Sequence, residues 1–237
     1  MHVCLLCVPP LSQRQKLLMF AISIHSSLKA AVSRLALGCI SANVTVEKYN
    51  GELWREIDQH LSHLTATIKP QSNTVPQIAA MRSAYKTLGK DPSRYRGSAE
   101  ALLRRVLAGK GLYQINNIVD INNLVSLETF QPLGSYDLER IDGPVELRIG
   151  MPGETYKGIG KDEINIENLP VFADAQGPFG SPTSDSERAM VRLETCRILM
   201  VIFSFAGPDG LESSVARACE LLGKYAAGQA IESSVVV

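Results

Sequence analysis

Residues 115–137 read INNIVDINNLVSLETFQPLGSYD, and this stretch sets the expectations for the rest of the chain. In its first half, four asparagines and one aspartate alternate with aliphatic residues suited to a core. Such polar side chains must be hydrogen-bonded if they lie inside the fold. They can instead cap and turn the start of a helix, a structural role that the pattern favours at least as strongly as contact with a ligand.

The segments before this stretch have helical periodicity. Apolar residues recur at three- and four-residue spacing over 52–68 and again over 78–88, which predicts two amphipathic helices. Ser98 is a good N-cap, and Glu100 in the following turn suits the helix dipole, so a further helix is predicted from Ser98 to a stop at Gly109.

The part of the chain after Gln131 has a different sequence pattern. Turn signals separate short apolar runs, which predicts strands at 145–149, 171–173 and 198–205, and 35–46 is also rich in strand-forming residues. A last helix is predicted over 209–225. Because helices and strands do not alternate regularly, the sequence predicts the α+β class, with a mixed or antiparallel sheet core and flanking helices.

Length and composition limit the class of protein. The chain has 237 residues, 45% of them hydrophobic and 20% charged, which excludes collagen-like and disordered proteins. The five cysteines are an odd number, as expected for reduced intracellular thiols. We expect residues 1–18 to be an extension, 19–230 to be one domain (an amino-terminal part to 75 and a core from 76), and 231–237 to be a tail. No stretch reaches transmembrane length.

Charge is distributed unevenly, although the net formal charge is zero. Residues 82–110 contain eight basic and two acidic residues, whereas 111–187 contain thirteen acidic and four basic ones. Clustered cations on one face are typical of a phosphate-binding surface. The alternative is an ordinary solvated helical face packed against the acidic part of the molecule. The candidate phosphate-facing residues are Arg82, Lys86, Arg94, Arg96, Arg104 and Arg105.

General motifs of catalysis are absent from the sequence. There is no P-loop, dinucleotide fingerprint or nucleophile elbow, and Cys4-x-x-Cys7 has no second ligand pair at metal-binding spacing, so we expect no cofactor and no metal. The segment 181–186, SPTSDS, places Thr183 and Asp185 after a glycine turn whose backbone N–H groups are able to hold an anion. A plain turn is the commoner outcome for such a segment.

Two ordered motifs resemble a known family. The stretch 115–123, INNIVDINN, and the stretch 130–137, FQPLGSYD, are similar to the N-N-x-V-D-x-T-N and G-Q-P-x-H-A-F-D motifs of the B3/B4 domain of bacterial phenylalanyl-tRNA synthetase beta subunits. The likeness covers roughly residues 78–205. It implies an α+β core and a pocket that, in the synthetase, hydrolyses tyrosine mischarged onto the phenylalanine tRNA.

The resemblance also implies which residues line that pocket. Gly134 stands where the family has a pocket histidine, and Val201 stands where it has a pocket glutamate. A site that discriminates a phenolic hydroxyl depends on such polar partners, so the pocket is altered here. The six implied positions are Asn123, Pro132, Gly134, Gly177, Gly180 and Val201.

Three functional hypotheses follow. The first is a standalone, cytoplasmic protein that binds tRNA or aminoacyl-tRNA, including the case of a deacylase acting in trans, with Thr183 or Asp185 helping to position water. The second is a small-molecule module, for an amino acid or nucleoside, that no longer binds tRNA. The third is a structural or partner-binding domain. The length leaves no room for an aminoacylating core, so we do not expect the chain to charge tRNA.

Overall fold

The computed structural model describes residues 21–68 and 75–237. These residues form helices and strands in an α+β arrangement, as the sequence predicts. The predicted extension 1–18 lies outside the described residues. The helices are α1 (Ser26–Ala31), α2 (Gly51–Thr67), α3 (Pro76–Thr87), α4 (Ser98–Leu107), α5 (Asn117–Thr129) and α6 (Leu211–Tyr225). The strands are β1 (Ile22–Ile24), β2 (Ala36–Asn43), β3 (Leu133–Asp137), β4 (Val145–Ile149), β5 (Thr155–Lys157), β6 (Glu163–Asn165), β7 (Pro170–Asp174), β8 (Gly177–Gly180), β9 (Arg197–Ser204) and β10 (Gln229–Val236).

Strand β9 runs through the middle of the larger sheet. Its sequence, RILMVIFS, is apolar almost throughout, as expected for a strand that is covered on both faces. It pairs antiparallel with β2 on one side and β3 on the other, and β10 adds to β2. We call this four-stranded sheet, in the order β10-β2-β9-β3, the central sheet.

A second sheet has the order β1-β4-β7-β8. The pairing of β1 with β4 is parallel and the other two pairings are antiparallel, so this sheet is mixed. Strands β5 and β6 form a separate antiparallel hairpin.

The two faces of the central sheet pack on different layers. Successive side chains of a strand point to opposite faces. Accordingly, Met200 and Ile202 of β9 pack on α2, α5 and α6, whereas Val201 and Phe203 pack against the second sheet. Tyr85 of α3 belongs to the core between the two sheets.

The asparagine-rich segment has a structural role at the start of α5. Asn116 is the N-cap, and its side chain accepts a hydrogen bond from the backbone N–H of Val119 at 2.9 Å. The fully buried Asn117 donates to the carbonyl oxygens of Thr45 and Tyr225, each at 2.9 Å. Asn116 therefore caps α5, and Asn117 ties the start of this helix to its neighbours through satisfied buried hydrogen bonds.

The carboxyl end of the chain differs from the predicted tail. Residues 231–236 belong to β10, which pairs antiparallel with β2 from Gln229 to Val236. The segment lacks apolar alternation because β10 is an edge strand with half-exposed side chains. Backbone hydrogen bonds hold it, and these leave no signal in the side-chain pattern.

Candidate functional site

The hydroxyl-rich loop 181–186 follows β8 and is folded by its own hydrogen bonds. Ser181 Oγ donates to the carbonyl oxygen of Ser184 at 2.8 Å and accepts from the Ser184 backbone N–H at 3.1 Å. The Asp185 carboxylate accepts from the Ser181 backbone N–H at 3.1 Å. The loop is a compact turn whose polar groups hold one another.

Three tyrosines from separate elements direct their hydroxyl groups at this loop. They are Tyr85 of α3, Tyr136 of β3 and Tyr156 of β5, all buried. The Tyr85 hydroxyl lies 2.9 Å from Thr183 Oγ1, and the Tyr136 hydroxyl donates to Asp185 Oδ1 at 2.9 Å. The Tyr156 hydroxyl donates to Ser181 Oγ at 3.1 Å. We call the three tyrosines together with loop 181–186 the tyrosine cluster.

The electrostatics of the cluster follow from its burial. Loss of solvation raises the pKa of the Asp185 carboxyl to about 7, even though hydrogen bonds from Tyr136 and the Ser181 N–H oppose the shift. Burial, reinforced by the nearby Asp185 charge, holds the pKa of Tyr136 well above its usual range. The tyrosine therefore stays protonated and acts as the donor, while the aspartate titrates near neutral pH.

The phenol of Tyr136 fills the space between Gly134 and Gly180. A Cβ atom built on Gly134 would lie 2.2 Å from the Tyr136 hydroxyl oxygen, and one on Gly180 would lie 2.4 Å from it. Both distances are far below van der Waals contact. The two glycines therefore make room for the tyrosine, and a ligand at this position must first displace the ring.

The six implied pocket positions do not all lie together. Gly134, Gly180 and Val201 lie around the Tyr136 ring, and Gly134 is the direct antiparallel partner of Val201. Pro132 directly precedes β3, and its carbonyl oxygen accepts a hydrogen bond from the Phe203 backbone N–H at 2.9 Å. Asn123 lies on α5, in the layer across the central sheet from the Tyr136 ring.

Gly177 lines an open cleft of about 620 Å³ on the outer side of the second sheet. Three of its charged groups are held in ion pairs. Arg148 makes a two-pronged pair with Glu154, at 2.6 and 2.8 Å. Asp174 makes a similar pair with Arg188, at 2.8 and 3.0 Å. These pairs reduce the capacity of the cleft to hold a small polar ligand.

Three of the six candidate phosphate-facing residues surround one buried carboxylate. Arg82 of α3 bonds both oxygens of Glu100, at 3.0 and 3.1 Å. Arg96 and Arg104 approach the same carboxylate at 3.5 and 3.8 Å. The Glu100 side chain is only 3% exposed, whereas that of Arg104 is 56% exposed. The carboxylate holds Arg82 by hydrogen bonds and attracts the other two guanidinium groups, so three positive charges surround one negative charge.

The other three basic candidates lie on the surface of the same pair of helices. Lys86 of α3 and Arg94, in the α3–α4 connection, are exposed. The guanidinium carbon of Arg105 lies 3.7 Å from the centroid of the Tyr113 ring. All six candidates therefore belong to α3, α4 or the segment that joins them.

This basic helix pair is attached to the tyrosine cluster. Tyr85, which bonds Thr183, is the residue before Lys86 on α3. At the start of α4, the backbone N–H of Ser98 donates to the carbonyl oxygen of Pro182 at 2.8 Å. The cations predicted from local charge and the loop predicted from its hydroxyl groups are thus neighbours in space.

Sequence reasoning missed the tyrosines and the role of Glu100. Tyr136 had the best signal, because it lies two residues after Gly134 and side chains two apart on a strand share a face. Tyr85 and Tyr156 carry no local signal, since they lie far from loop 181–186 in sequence.

The Asp185 pKa leads to a pH-dependent stability. Because the folded-state pKa of about 7 is above the ordinary value of 3.8, the folded chain binds more protons than the unfolded chain between these pH values. Stability therefore falls as pH rises through this window. Between pH 5 and pH 8, we expect the free energy of unfolding of wild type to fall by on the order of 2 kcal/mol more than that of Asp185→Asn. Urea unfolding of both proteins at these pH values measures it, and parallel pH profiles would contradict it.

The chain belongs to the B3/4 domain family, whose model matches residues 80–226. It is similar to the phenylalanine–tRNA ligase beta subunit of Symbiobacterium thermophilum, with 28% identity over 169 residues that make up 60% of this chain and 19% of that protein. The corresponding subunit of Desulfotalea psychrophila is 30% identical over 188 residues, 66% of this chain and 22% of that protein. The match thus spans about a fifth of the length of these relatives.

A solved structure is also similar in part. It is an N-terminal fragment of the phenylalanyl-tRNA synthetase beta subunit from Pyrococcus horikoshii, matched with a TM-score of 0.48 and 13% identity over 92% of this chain and 51% of that one.

Within residues 21–68 and 75–237, no helix is both long and apolar enough to cross a bilayer. The same ranges contain no group of three or more histidine, cysteine or acidic side chains placed to hold a metal ion.

Proposed function

We propose that the protein binds tRNA or aminoacyl-tRNA in the cytoplasm, as a standalone B3/B4 domain. Membership of the family supports a tRNA-related role, since its similar relatives are beta subunits of a tRNA ligase. The match covers about a fifth of the length of those relatives, so the proposal concerns the domain and not the activity of the whole ligase.

The observation that carries the proposal is the attachment of the basic helix pair to the tyrosine cluster. The Tyr85–Thr183 and Ser98–Pro182 hydrogen bonds hold α3 and α4 against the loop. Cations on a rigid face attract the RNA backbone and release its counterions. A tRNA lying on α3 and α4 would therefore pass next to loop 181–186.

The geometry favours binding over hydrolysis. The Tyr136 ring occupies the space beside Gly134, and the two catalytic candidates, Thr183 and Asp185, are already hydrogen-bonded to tyrosines. Deacylation in trans would require the tyrosine to leave its place and water to reach the carboxylate. The Gly177 cleft gives little support to the small-molecule alternative, because Arg148, the arginine that lines it, is paired with Glu154.

Charge reversal on the helix pair tests the proposal. We expect Lys86→Glu combined with Arg94→Glu to weaken tRNA binding by roughly tenfold to a hundredfold at low salt, because two exposed phosphate contacts become repulsive. The slope of log K against log salt should become less negative by about 2. Fluorescence anisotropy with end-labelled tRNA over a salt series measures both quantities.

A matched variant controls for overall charge. Lys48 and Arg55 are exposed near the amino-terminal end of α2, whereas Leu64, close to its other end, packs on Leu103 of α4. Lys48→Glu combined with Arg55→Glu changes the net charge equally and should leave the affinity within about twofold. Equal losses in the two double variants, or no binding by wild type, would overturn the proposal. Incubation with aminoacyl-tRNAs in parallel separates binding from deacylation.

A further inference from the structure

The loop that joins α4 to α5 presents an aromatic ring to solvent. Tyr113 is 63% exposed, and Ile115 beside it is 52% exposed. Positive φ angles at Gly109 and Gly111 turn the loop away from the end of α4.

The ring of Tyr113 is held in a fixed orientation by Arg105. The guanidinium group lies over the ring, with its carbon 3.7 Å from the centroid, and Nη1 donates to the tyrosine hydroxyl at 2.9 Å. The same guanidinium donates from Nη2 to the carbonyl oxygen of Lys110 at 3.2 Å. These contacts preorganise the ring, so little side-chain entropy remains to be lost when a partner binds.

The charge around the ring favours an anionic partner. Residues 101–115 contain Arg104, Arg105 and Lys110 and no acidic residue. A flat aromatic ring combined with cations is the combination that binds single-stranded nucleic acid, since the base stacks on the ring and the cations lie along the backbone. In a duplex the bases are already stacked on one another, so no unpaired base is free to stack on such a ring.

We propose that Tyr113 is a stacking platform for an unpaired base of RNA, which would bind to the ring face that Arg105 does not cover, with Lys110 at a neighbouring phosphate. This inference rests on the proposed function and adds the place on the protein where an unpaired segment of the RNA would bind. Helix α4 has ten residues, about 15 Å, from its start beside loop 181–186 to its end at this platform. One RNA strand would thus follow α4 from the tyrosine cluster to Tyr113.

Substitution of the ring tests the platform. The probes are a single-stranded oligouridylate, an RNA duplex of the same length, and intact tRNA, with affinities measured by fluorescence anisotropy. We expect Tyr113→Ala to weaken binding of the oligouridylate by roughly fivefold to a hundredfold, the contribution of one stacked base. Tyr113→Phe keeps the ring and should stay within about threefold of wild type. Duplex binding should change little in either variant.

A second exposed tyrosine supplies the control. Tyr49, 56% exposed, precedes α2, and Tyr49→Ala should leave every affinity unchanged. If wild type binds tRNA, but Tyr113→Ala binds the oligouridylate as tightly as wild type does, the platform is wrong while the proposed function stands. The platform is also wrong if Tyr113→Ala weakens binding of the duplex as much as binding of the oligouridylate, or if Tyr113→Phe loses as much affinity as Tyr113→Ala. Binding of polyglutamate, an anion without bases, that depends equally on Tyr113 would overturn it as well. Failure of wild type to bind any RNA overturns both proposals.

Discussion

Replacing Tyr136 with alanine is expected to lower the free energy of unfolding by about 3–5 kcal/mol, the usual cost of deleting a fully buried aromatic ring. The ring packs edge-on against Phe179 and Phe172, with centroids 5.1 and 6.0 Å apart, and is fully buried. Its removal leaves a cavity between Gly134 and Gly180 and takes the hydroxyl donor away from Asp185. Urea unfolding at constant pH measures the change.

Glycine 134 gives the matched test of the same packing. Gly134→Ala should cost about 1–3 kcal/mol through overcrowding, because the phenol cannot leave its buried place cheaply. In the double variant with Tyr136→Ala the added methyl group meets no ring. The double variant should therefore lose less free energy of unfolding than the sum of the losses in the two single variants. Additive costs, or a loss below about 1 kcal/mol for Tyr136→Ala, would show that the ring does not fill this space.

Replacing Glu100 with glutamine is expected to lower the free energy of unfolding by about 3 kcal/mol. Removing one partner of a buried ion pair leaves the other charge without compensation, at a cost of about 3–5 kcal/mol. The lower end applies because the Arg82 side chain is 24% exposed and keeps some contact with water. Thermal or urea unfolding of the full chain gives the value.

Glu52→Gln is the control for that substitution. Glu52 pairs with Arg55 at 3.4 Å, and both side chains are 74% exposed. Such a surface pair contributes about 0–1 kcal/mol, so this variant should unfold close to wild type. If the two glutamine variants lose equal stability, the carboxylate of Glu100 is not the anchor of the basic helix pair.

Much of the fold could be predicted because its signals are local. Amphipathic periodicity marks α2, and the apolar run of β9 marks a strand buried on both faces. Strand β10 lacked such a signal because backbone pairing at a sheet edge holds it. The motif around Asn116 and Asn117 left two alternatives open, since a buried asparagine looks the same in sequence whether it caps a helix or binds a ligand.

The candidate site was less predictable for a physical reason. The resemblance implies that Gly134 lines an altered pocket, but the ring of Tyr136 on the same strand face fills the space beside it. The sequence indicates only that Glu100, in the first turn of a helix, interacts favourably with the helix dipole. The tertiary structure brings Arg82 from another helix onto its carboxylate. Which side chain fills a gap, and which charge neutralises another, depends on contacts between distant segments.

Hydrogen exchange of the full chain, with and without tRNA, shows whether the RNA lies on the basic helix pair and beside the tyrosine cluster. Amides that the RNA covers or rigidifies should exchange more slowly. We expect tRNA to slow exchange in residues 82–115 and in loop 181–186 at low salt, and added salt to remove the effect. Protection confined to the cleft residues 144–154 and 173–178, or no protection anywhere, would contradict it.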